Sequence, residues 1–241
     1  MISRFFCPGP LQPGTEIALP REVAHHAERV LRLAVGEELV LFDGSGAEFA
    51  GRLTALGGQA RAEIGERSEP LRESPLRLTL AQALASADKM DWVIQKAVEL
   101  GVDQVIPVAA ERSVLKLAGE RAGKRLMHWR QVAVAACEQC GRNRLPEIAE
   151  VQPLAGYLAD HREGALRLLL DPVAGQRLAE LSRPAGPVHL LIGPEGGWAE
   201  AELKAARVAG CTAIRLGPRI LRTETAGLAV ISALQALWGD F

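Results

Sequence analysis

Two loops that contain glycine and proline are the segments of this sequence best suited to chemistry. The first, at 193–197, reads Gly-Pro-Glu-Gly-Gly and directly follows an apolar run at 188–192. Such a run predicts a buried strand, and open α/β sheets bind ligands beyond the carboxyl ends of their strands. Glycines there let backbone N–H and C=O groups approach a ligand closely, because no Cβ intervenes. We therefore predict a binding loop in preference to a plain strand-to-helix turn.

The second loop, at 216–227, reads Leu-Gly-Pro-Arg-Ile-Leu-Arg-Thr-Glu-Thr-Ala-Gly and follows a predicted strand at 212–216. Thr223 is expected to cap the last helix, and Glu224 favours its first turn. Capping does not account for a Gly-Pro pair followed by two arginines. Adjacent strands that end in such loops would share one concave site. Neither loop matches the Gly-x-Gly-x-x-Gly or P-loop patterns, which disfavours a dehydrogenase and a P-loop ATPase.

The elements that must position these loops follow from hydrophobic periodicity. From residue 76 onward, apolar strands alternate with helical patterns, which predicts a mostly parallel α/β sheet. The predicted strands cover 78–83, 104–108, 166–170, 188–192 and 212–216. The predicted helices cover 88–100, 120–140, 200–209 and 223–237. Asp88 is expected to cap the first of these helices and Gly101 to end it. Its buried face is predicted to carry Met90, Val93, Ile94, Ala97 and Val98.

The first 70 or so residues have a different pattern. Runs at 38–42 and 61–64 indicate short strands, turn clusters lie at 43–46 and 57–58, and one helix is expected over 22–33. These features predict a small β-rich domain. A polar segment at 68–75 contains two prolines and is the best linker candidate. The predicted domains are therefore 1–72 and 75–241.

Composition bounds the class of protein. The chain has 241 residues, 48% apolar and 24% charged, with a net charge of −1, which indicates a globular protein and not a strongly cationic one. Within 111–144, however, there are eight basic residues and only three acidic ones. This local positive charge would suit a polyanionic partner, although a solvated helix face is the plainer interpretation. No apolar run is long enough to cross a membrane, and no secretory signal is evident. Four cysteines form no disulfide framework, so a soluble, cytoplasmic protein with reduced thiols is expected.

Two further motifs contain residue types that can bind metals. Cys137 and Cys140 form an isolated pair inside a helical pattern, and no second pair completes a zinc site, so we interpret both as packing or surface thiols. His25 and His26 lack a third ligand, which favours RNA contact or a plain surface. No metal site is predicted.

At the two loops the sequence resembles the RsmE family of ribosomal RNA methyltransferases. Its members are the 16S rRNA (uracil(1498)-N(3))-methyltransferases, within the SPOUT superfamily. The resemblance covers nearly the whole chain in the same order. Further matching motifs lie at 4–6, 25–26 with 30–32, 42–44, 95–102, 112–113 and 138–142. Two positions depart from the family pattern: Ala199 replaces an expected capping Ser, and Cys140 replaces the usual Ser.

The resemblance implies an N-terminal PUA-like β-barrel domain, then a SPOUT α/β domain with a trefoil knot, and a homodimer. It also implies that S-adenosylmethionine binds in the knot, and that a homologue of this kind acts on 16S ribosomal RNA in the small ribosomal subunit. The cofactor-binding residues implied by the family pattern are Leu170, Ile192, Gly193, Glu195, Gly196, Gly197, Leu216, Gly217, Ile220, Leu221, Arg222, Thr225 and Ala226.

The implied reaction assigns roles to a few side chains. A sulfonium methyl donor carries its own leaving group, so the enzyme must mainly align it with uridine N3. N3 must lose a proton, and Arg222 is the candidate to stabilise the charge left on O2 and O4. Glu224 or Glu195 is the candidate base, although either could instead cap a helix or fix a loop. The candidate phosphate-binding residues are Arg4, His26, Arg29, Arg32, Lys96, Arg112 and Arg142.

Two other functions remain open from the sequence. One is a related knotted methyltransferase that acts on a ribose 2′-hydroxyl or another base, which the Thr-Glu-Thr run at 223–225 disfavours. The other is a non-catalytic RNA-binding protein of ribosome assembly, which would bind no S-adenosylmethionine.

Overall fold

The computed structural model describes residues 2–160 and 164–241 and divides into two units. The first unit contains the residues up to Glu73 together with Cys137–Leu145, and the second contains Ser74–Ala136 and Pro146–Phe241. No pattern in the sequence indicated that a segment from the middle of the chain groups with the first unit.

The first unit is built on a five-stranded sheet. Its elements are β1 (Ser3–Phe6), β2 (Glu16–Ala18), α1 (Arg21–His25), a π-helix (His26–Val30), β3 (Glu38–Phe42), β4 (Glu48–Ala55) and β5 (Arg61–Ser68). The strand order is β1-β3-β4-β5-β2, with β1 and β3 parallel and the other pairs antiparallel. Buried apolar side chains on alternate strand positions form its core, among them Phe5, Leu41, Phe49, Leu53 and Ile64.

The helix expected over 22–33 is shorter and less regular than predicted. The α-helix continues directly into the π-helix, which ends at Val30. Arg32 then adopts a left-handed backbone with φ of 55°, which a helix cannot include.

The second unit contains a parallel sheet with helices between its strands. Its elements are β6 (Leu78–Ala83), α2 (Ala87–Glu99), β7 (Gln104–Ala109), α3 (Gly119–Cys140), β8 (Glu147–Ile148), β9 (Gln152–Pro153), α4 (Leu154–Ala159), β10 (Leu166–Leu170), β11 (Gln176–Arg177), a 3₁₀ turn (Leu178–Glu180), β12 (Val188–Ile192), α5 (Glu200–Val208), β13 (Thr212–Arg215) and α6 (Thr223–Trp238); α3 ends in the first unit. The order is β11-β13-β10-β12-β6-β7-β8, with β9 beside β7, and every pair is parallel. All residues of β6 and β12 are buried, which explains why apolar residues predominate in both strands, although Thr79, Gln82 and His189 are polar.

The helix α2 confirms the predicted apolar face and corrects its cap. The five residues predicted on that face are fully buried. The helix begins after Ser86, so Ser86 and not Asp88 is the N-cap. The Asp88 carboxylate accepts a hydrogen bond from the Ser86 hydroxyl and from its own backbone N–H, and these bonds lower its pKa. Gly101 follows the C-cap with φ of 83° and ends the helix, as predicted.

None of the four cysteines forms a disulfide bond, and Cys137 is buried, which raises the pKa of its thiol to about 12. Among residues 2–160 and 164–241, no three His, Cys, Asp or Glu side chains form a group that could hold a metal ion. Within the same ranges, no helix is long and apolar enough to cross a membrane.

Candidate functional site

The two predicted loops and the end of β10 lie at one edge of the second unit's sheet. Because β12, β10 and β13 are parallel neighbours, their carboxyl ends share that edge. The expectation that the two loop-bearing strands are adjacent is wrong, because β10 lies between β12 and β13. The order places Leu170, from β10, between the loop that begins at Gly193 and the one that begins at Leu216.

The loop after β12 requires its glycines. A Cβ on Gly193 would lie 3.1 Å from Nε1 of Trp198, and one on Gly196 would lie 3.1 Å from Cβ of Arg112. Gly197 has φ of 69° and closes a turn by donating its N–H to the Pro194 carbonyl at 2.9 Å. A side chain at Gly193 or Gly196 would crowd Trp198 or Arg112, so glycine at these two positions allows the loop backbone to pack closely against its neighbours.

Two arginine hydrogen bonds and one unpaired indole N–H complete this loop. The guanidinium of Arg112 donates to the carbonyls of Gly196, at 3.3 Å, and Trp198, at 3.4 Å. Nε1 of Trp198 is buried and has no hydrogen-bond partner among the described atoms. A buried N–H without an acceptor is costly, and it marks a place where a ligand acceptor would fit.

Thr223 ties the loop after β12 to the strand β6. Its hydroxyl donates to the Gly193 carbonyl at 2.5 Å and accepts from the Gln82 amide at 2.9 Å. The prediction that Thr223 caps α6 is wrong: Arg222 is the N-cap, with no side-chain capping bond, and Thr223 begins the helix. Gln82 is fully buried and its Oε1 has no partner among the described atoms, so it offers a second unpaired polar atom here. Nothing in the sequence pattern singled out Gln82.

Lys89 brings the two candidate bases together. Its ammonium lies 3.4 Å from Oε1 of Glu195 and 3.5 Å from Oε2 of Glu224. The same oxygen of Glu195 accepts the backbone N–H of Ser86 at 3.2 Å. Oε2 of Glu224 is buried and accepts no hydrogen bond in the described structure, so Lys89 is its ionic partner. Lys89 was not predicted, because a lysine on the polar face of a helix carries no distinguishing signal.

The second loop borders two cavities. The smaller, of about 50 Å³, is lined by Leu170, Leu216, Gly217, Leu221 and Ala226 together with Asp171 and Arg219. The larger, of about 720 Å³, is lined mainly by apolar residues of the same loop, of α6 and of the segment after β11. Arg222, Thr225 and Ile220 are exposed on the loop surface.

Arg4 and Arg142, expected to bind phosphates, are instead engaged inside the first unit. Arg4 forms an ion pair with Glu48 at 2.6 Å and donates to Oδ1 of Asn143 at 2.5 Å, with its side chain only 12% exposed. Burial raises the pKa of Glu48, but the hydrogen bonds from Arg4 and Asn143 and the nearby guanidinium charges lower it on balance. Arg142 is buried and pairs with Glu73 at 2.7 Å. These two guanidinium groups stabilise the unit and are not presented to solvent.

The other candidate phosphate-binding residues have mixed surroundings. Arg29, Arg32 and Arg112 are exposed. The ring of His26 is half-buried and meets Phe5 edge-on, with 5.9 Å between centroids. Lys96 forms an ion pair with Glu99 at 2.7 Å on α2.

Comparisons with known proteins identify the family. Residues 72–235 match a family model described as an RNA methyltransferase domain, and residues 19–64 match an RNA methyltransferase PUA domain. The chain is 33% identical over 232 residues to the ribosomal RNA small subunit methyltransferase E of Buchnera aphidicola subsp. Schizaphis graminum, covering 95% of this chain and 94% of that protein. The chain belongs to the ribosomal RNA small subunit methyltransferase E family. The resemblance drawn from the sequence motifs is thereby confirmed.

Two solved structures superpose along the full chain. A ribosomal RNA small subunit methyltransferase E from Neisseria gonorrhoeae, crystallised bound to S-adenosyl methionine, is 40% identical with a TM-score of 0.94. A putative methyltransferase from Legionella pneumophila, in complex with the same cofactor, is 37% identical with a TM-score of 0.97. Each comparison covers 100% of both chains. The predicted α/β class, with a PUA domain followed by a methyltransferase domain on a parallel sheet, is confirmed.

Proposed function

We propose that this protein transfers a methyl group from S-adenosylmethionine to N3 of a specific uridine in the 16S RNA of the small ribosomal subunit. The observation that carries the proposal is the glycine loop after β12 in a chain of the methyltransferase E family, whose solved relatives bind that cofactor. The reaction is placed in the cytoplasm, where ribosomal subunits mature.

The residues present fit the cofactor. Glycine at 193 and 196 lets the loop backbone lie close to Trp198 and Arg112, and the buried Trp198 N–H and Gln82 Oε1 have no hydrogen-bond partner among the described atoms. The cofactor-binding set is the one implied by the family pattern. Asp171 joins it because it lines the cavity beside the second loop, and Gln82 because it pairs with Ile192 at the same sheet edge. When bound, S-adenosylmethionine supplies a methyl group already activated by the sulfonium centre.

The side chains around this cradle have positioning and electrostatic roles. Thr223 fixes the direction of the Gly193 carbonyl, which keeps the loop rigid. Arg222 is exposed beside the loops and stabilises the charge that forms on uridine O2 and O4 as the N3 proton leaves. Glu224 or Glu195 accepts that proton, and Lys89 holds the two carboxylates at one place.

The finer architecture belongs to the same proposal. In the knot, the chain after β13 is threaded through the loop that precedes it. The strand order supports this knot: β11 follows β10 in the sequence, yet β13 lies between them in the sheet. A homodimer is supported by the wide apolar cavity beside 216–218, where Leu237 is 51% exposed. No metal is assigned a role, since the donor carries its own leaving group.

Exposed basic side chains hold the RNA. Arg29 and Arg32 in the first unit are exposed and can contact phosphates. Arg112 in the second unit is also exposed, with its Nη1 engaged by the Gly196 and Trp198 carbonyls. A target base inside a paired stack is out of reach, so the uridine must be flipped or single-stranded. Binding should weaken as salt is added, because each phosphate contact releases counterions.

The decisive experiment is methylation of small ribosomal subunits from cells that lack the gene. Mass spectrometry of the digested RNA should detect 3-methyluridine, and calorimetry should detect binding of S-adenosylmethionine. A ribose-methylated nucleoside would contradict the N3 assignment, and absence of cofactor binding would point to a non-catalytic assembly protein. Arg222→Ala should slow single-turnover methylation of bound RNA; full retention would contradict the role of Arg222.

A further inference from the structure

A basic groove lies in the second unit, at the start of α3. It has a volume of about 430 Å³ and is lined by Leu115, Lys116, Leu117, Arg121, Lys124, Arg125 and His128. We call this surface the basic groove. Its helical members recur at positions 121, 124, 125 and 128, which places them along one face of α3. Seven helical steps extend about 10 Å, enough to face more than one phosphate of a nucleic acid strand.

The acids near the groove leave part of its charge uncompensated. Glu120 pairs with Lys124 at 2.7 Å, and Asp91 contacts His128 at 2.7 Å and Arg125 at 3.7 Å. In the described parts of the chain, no carboxylate lies within 4 Å of Lys116 or Arg121, and the Lys116 ammonium donates to the Glu111 carbonyl. The groove is therefore positive although the protein as a whole is close to neutral.

One short segment of the chain connects the glycine loop with the groove. Arg112 donates to the carbonyls of Gly196 and Trp198, and three residues later the same segment supplies Leu115 to the groove. The segment is firmly held, because the Ala110 N–H donates to Oγ of Ser113 at 3.1 Å and Ser113 is buried. A strand that places one nucleotide at the glycine loop would thus have its neighbours directed along this segment.

We infer that the basic groove binds the phosphate backbone of the RNA strand next to the methylated nucleotide. The inference rests on the proposed function. Lys116 and Arg121 supply uncompensated charge for phosphate oxygens, and Leu115 and Leu117 offer apolar surface to a ribose or base. Of the eight bases between residues 111 and 144, Arg142 and Arg144 belong to the first unit and Arg130 donates to the Ile148 carbonyl. The structure therefore selects a subset of that charged stretch.

The test compares Lys116→Gln/Arg121→Gln with Arg183→Gln/Lys204→Gln. The control variant removes the charges of two exposed basic side chains of the same unit that do not line the groove. Binding of single-stranded oligouridylate is measured at several salt concentrations, and KM is measured for small subunits from cells lacking the gene. The groove variant should bind RNA more weakly and raise KM. Its slope of log affinity against log salt should be shallower by about 1.4, since each single-strand phosphate contact contributes about 0.7.

Calorimetry with S-adenosylmethionine checks that the groove variant is folded, because its affinity should match that of the wild type. The inference would be overturned if the groove variant had the same salt slope and the same KM as the control pair. Unchanged RNA binding is also the result expected if the groove binds an acidic protein partner instead of RNA. Failure of the proposed function looks different: the wild-type protein itself would bind no cofactor or methylate no subunit.

Discussion

Replacing Thr223 with Val tests whether a single hydroxyl holds the glycine loop in place. The two side chains have nearly the same shape, so the change removes a donor and an acceptor without opening a large cavity. The Gly193 carbonyl loses the bond of 2.5 Å, and the fully buried Gln82 loses one of the two bonds that its amide donates.

The magnitude follows from these partners. Each hydrogen bond contributes about 0.5–1.5 kcal/mol, and each buried group left unpaired costs about 1–3 kcal/mol. Gln82 keeps its bond to the Ala83 carbonyl at 3.0 Å, so its penalty lies at the lower end. We expect the free energy of unfolding of Thr223→Val to fall by about 2–4 kcal/mol. If about 1.4 kcal/mol of that loss acts on the cofactor cradle, S-adenosylmethionine binds tenfold more weakly.

Thr79→Val is the matched control. Thr79 is also a buried threonine, on β6, but among the described residues its hydroxyl makes only a long bond of 3.4 Å to Gln104. Urea unfolding should show a loss below about 1 kcal/mol for this control, and calorimetry an unchanged cofactor affinity. If the two variants lost equal stability and Thr223→Val bound the cofactor as the wild type does, the hydroxyl would not be what fixes the loop.

Three other outcomes can be checked. Lys89→Met should reduce kcat by about ten- to a hundredfold because the two carboxylates that it contacts lose their common partner, whereas Lys89→Arg should restore most of the rate; equal rates for all three proteins would contradict the positioning role. Burial raises the pKa of Glu138 in the folded protein, so the folded state loses stability as pH rises and this carboxyl group ionises. Urea unfolding should therefore find Glu138→Gln more stable than the wild type at pH 7. Below the ordinary glutamate pKa, the two proteins should have similar free energies of unfolding. Burial raises the pKa of Cys7 and Cys137 to about 12, so peptide mapping after iodoacetamide at pH 8 should find both unmodified until the chain is unfolded.

Hydrophobic periodicity predicted most of the second unit. The strands β6, β10 and β12 have the bounds predicted for them, because strands buried between layers of helices are mostly apolar and are bounded by polar turns. The amphipathic face of α2 was predicted residue by residue for the same kind of reason. The two glycine–proline loops were also recognisable, since glycine in such numbers at a strand end has few other uses.

Contacts between distant parts of the chain could not be predicted. No local pattern records that β10 lies between β12 and β13, or that the Lys89 ammonium meets Glu195, more than a hundred residues away. The sequence also could not predict which arginine side chains are buried and which are exposed. Arg4 and Arg29 are the same residue type in the same domain, yet one is enclosed by Glu48 and Asn143 while the other faces solvent.

The membership of Cys137–Leu145 in the first unit sets a limit on when that unit can be finished during synthesis. Arg4 needs the carbonyl of Gly141 and the side chain of Asn143, and the Phe6 N–H needs the carboxylate of Glu138. A fragment cut after Glu73 would lack all of these acceptors. The unit that is translated first therefore cannot complete its folding until residue 145 has been translated, which is more than half of the chain.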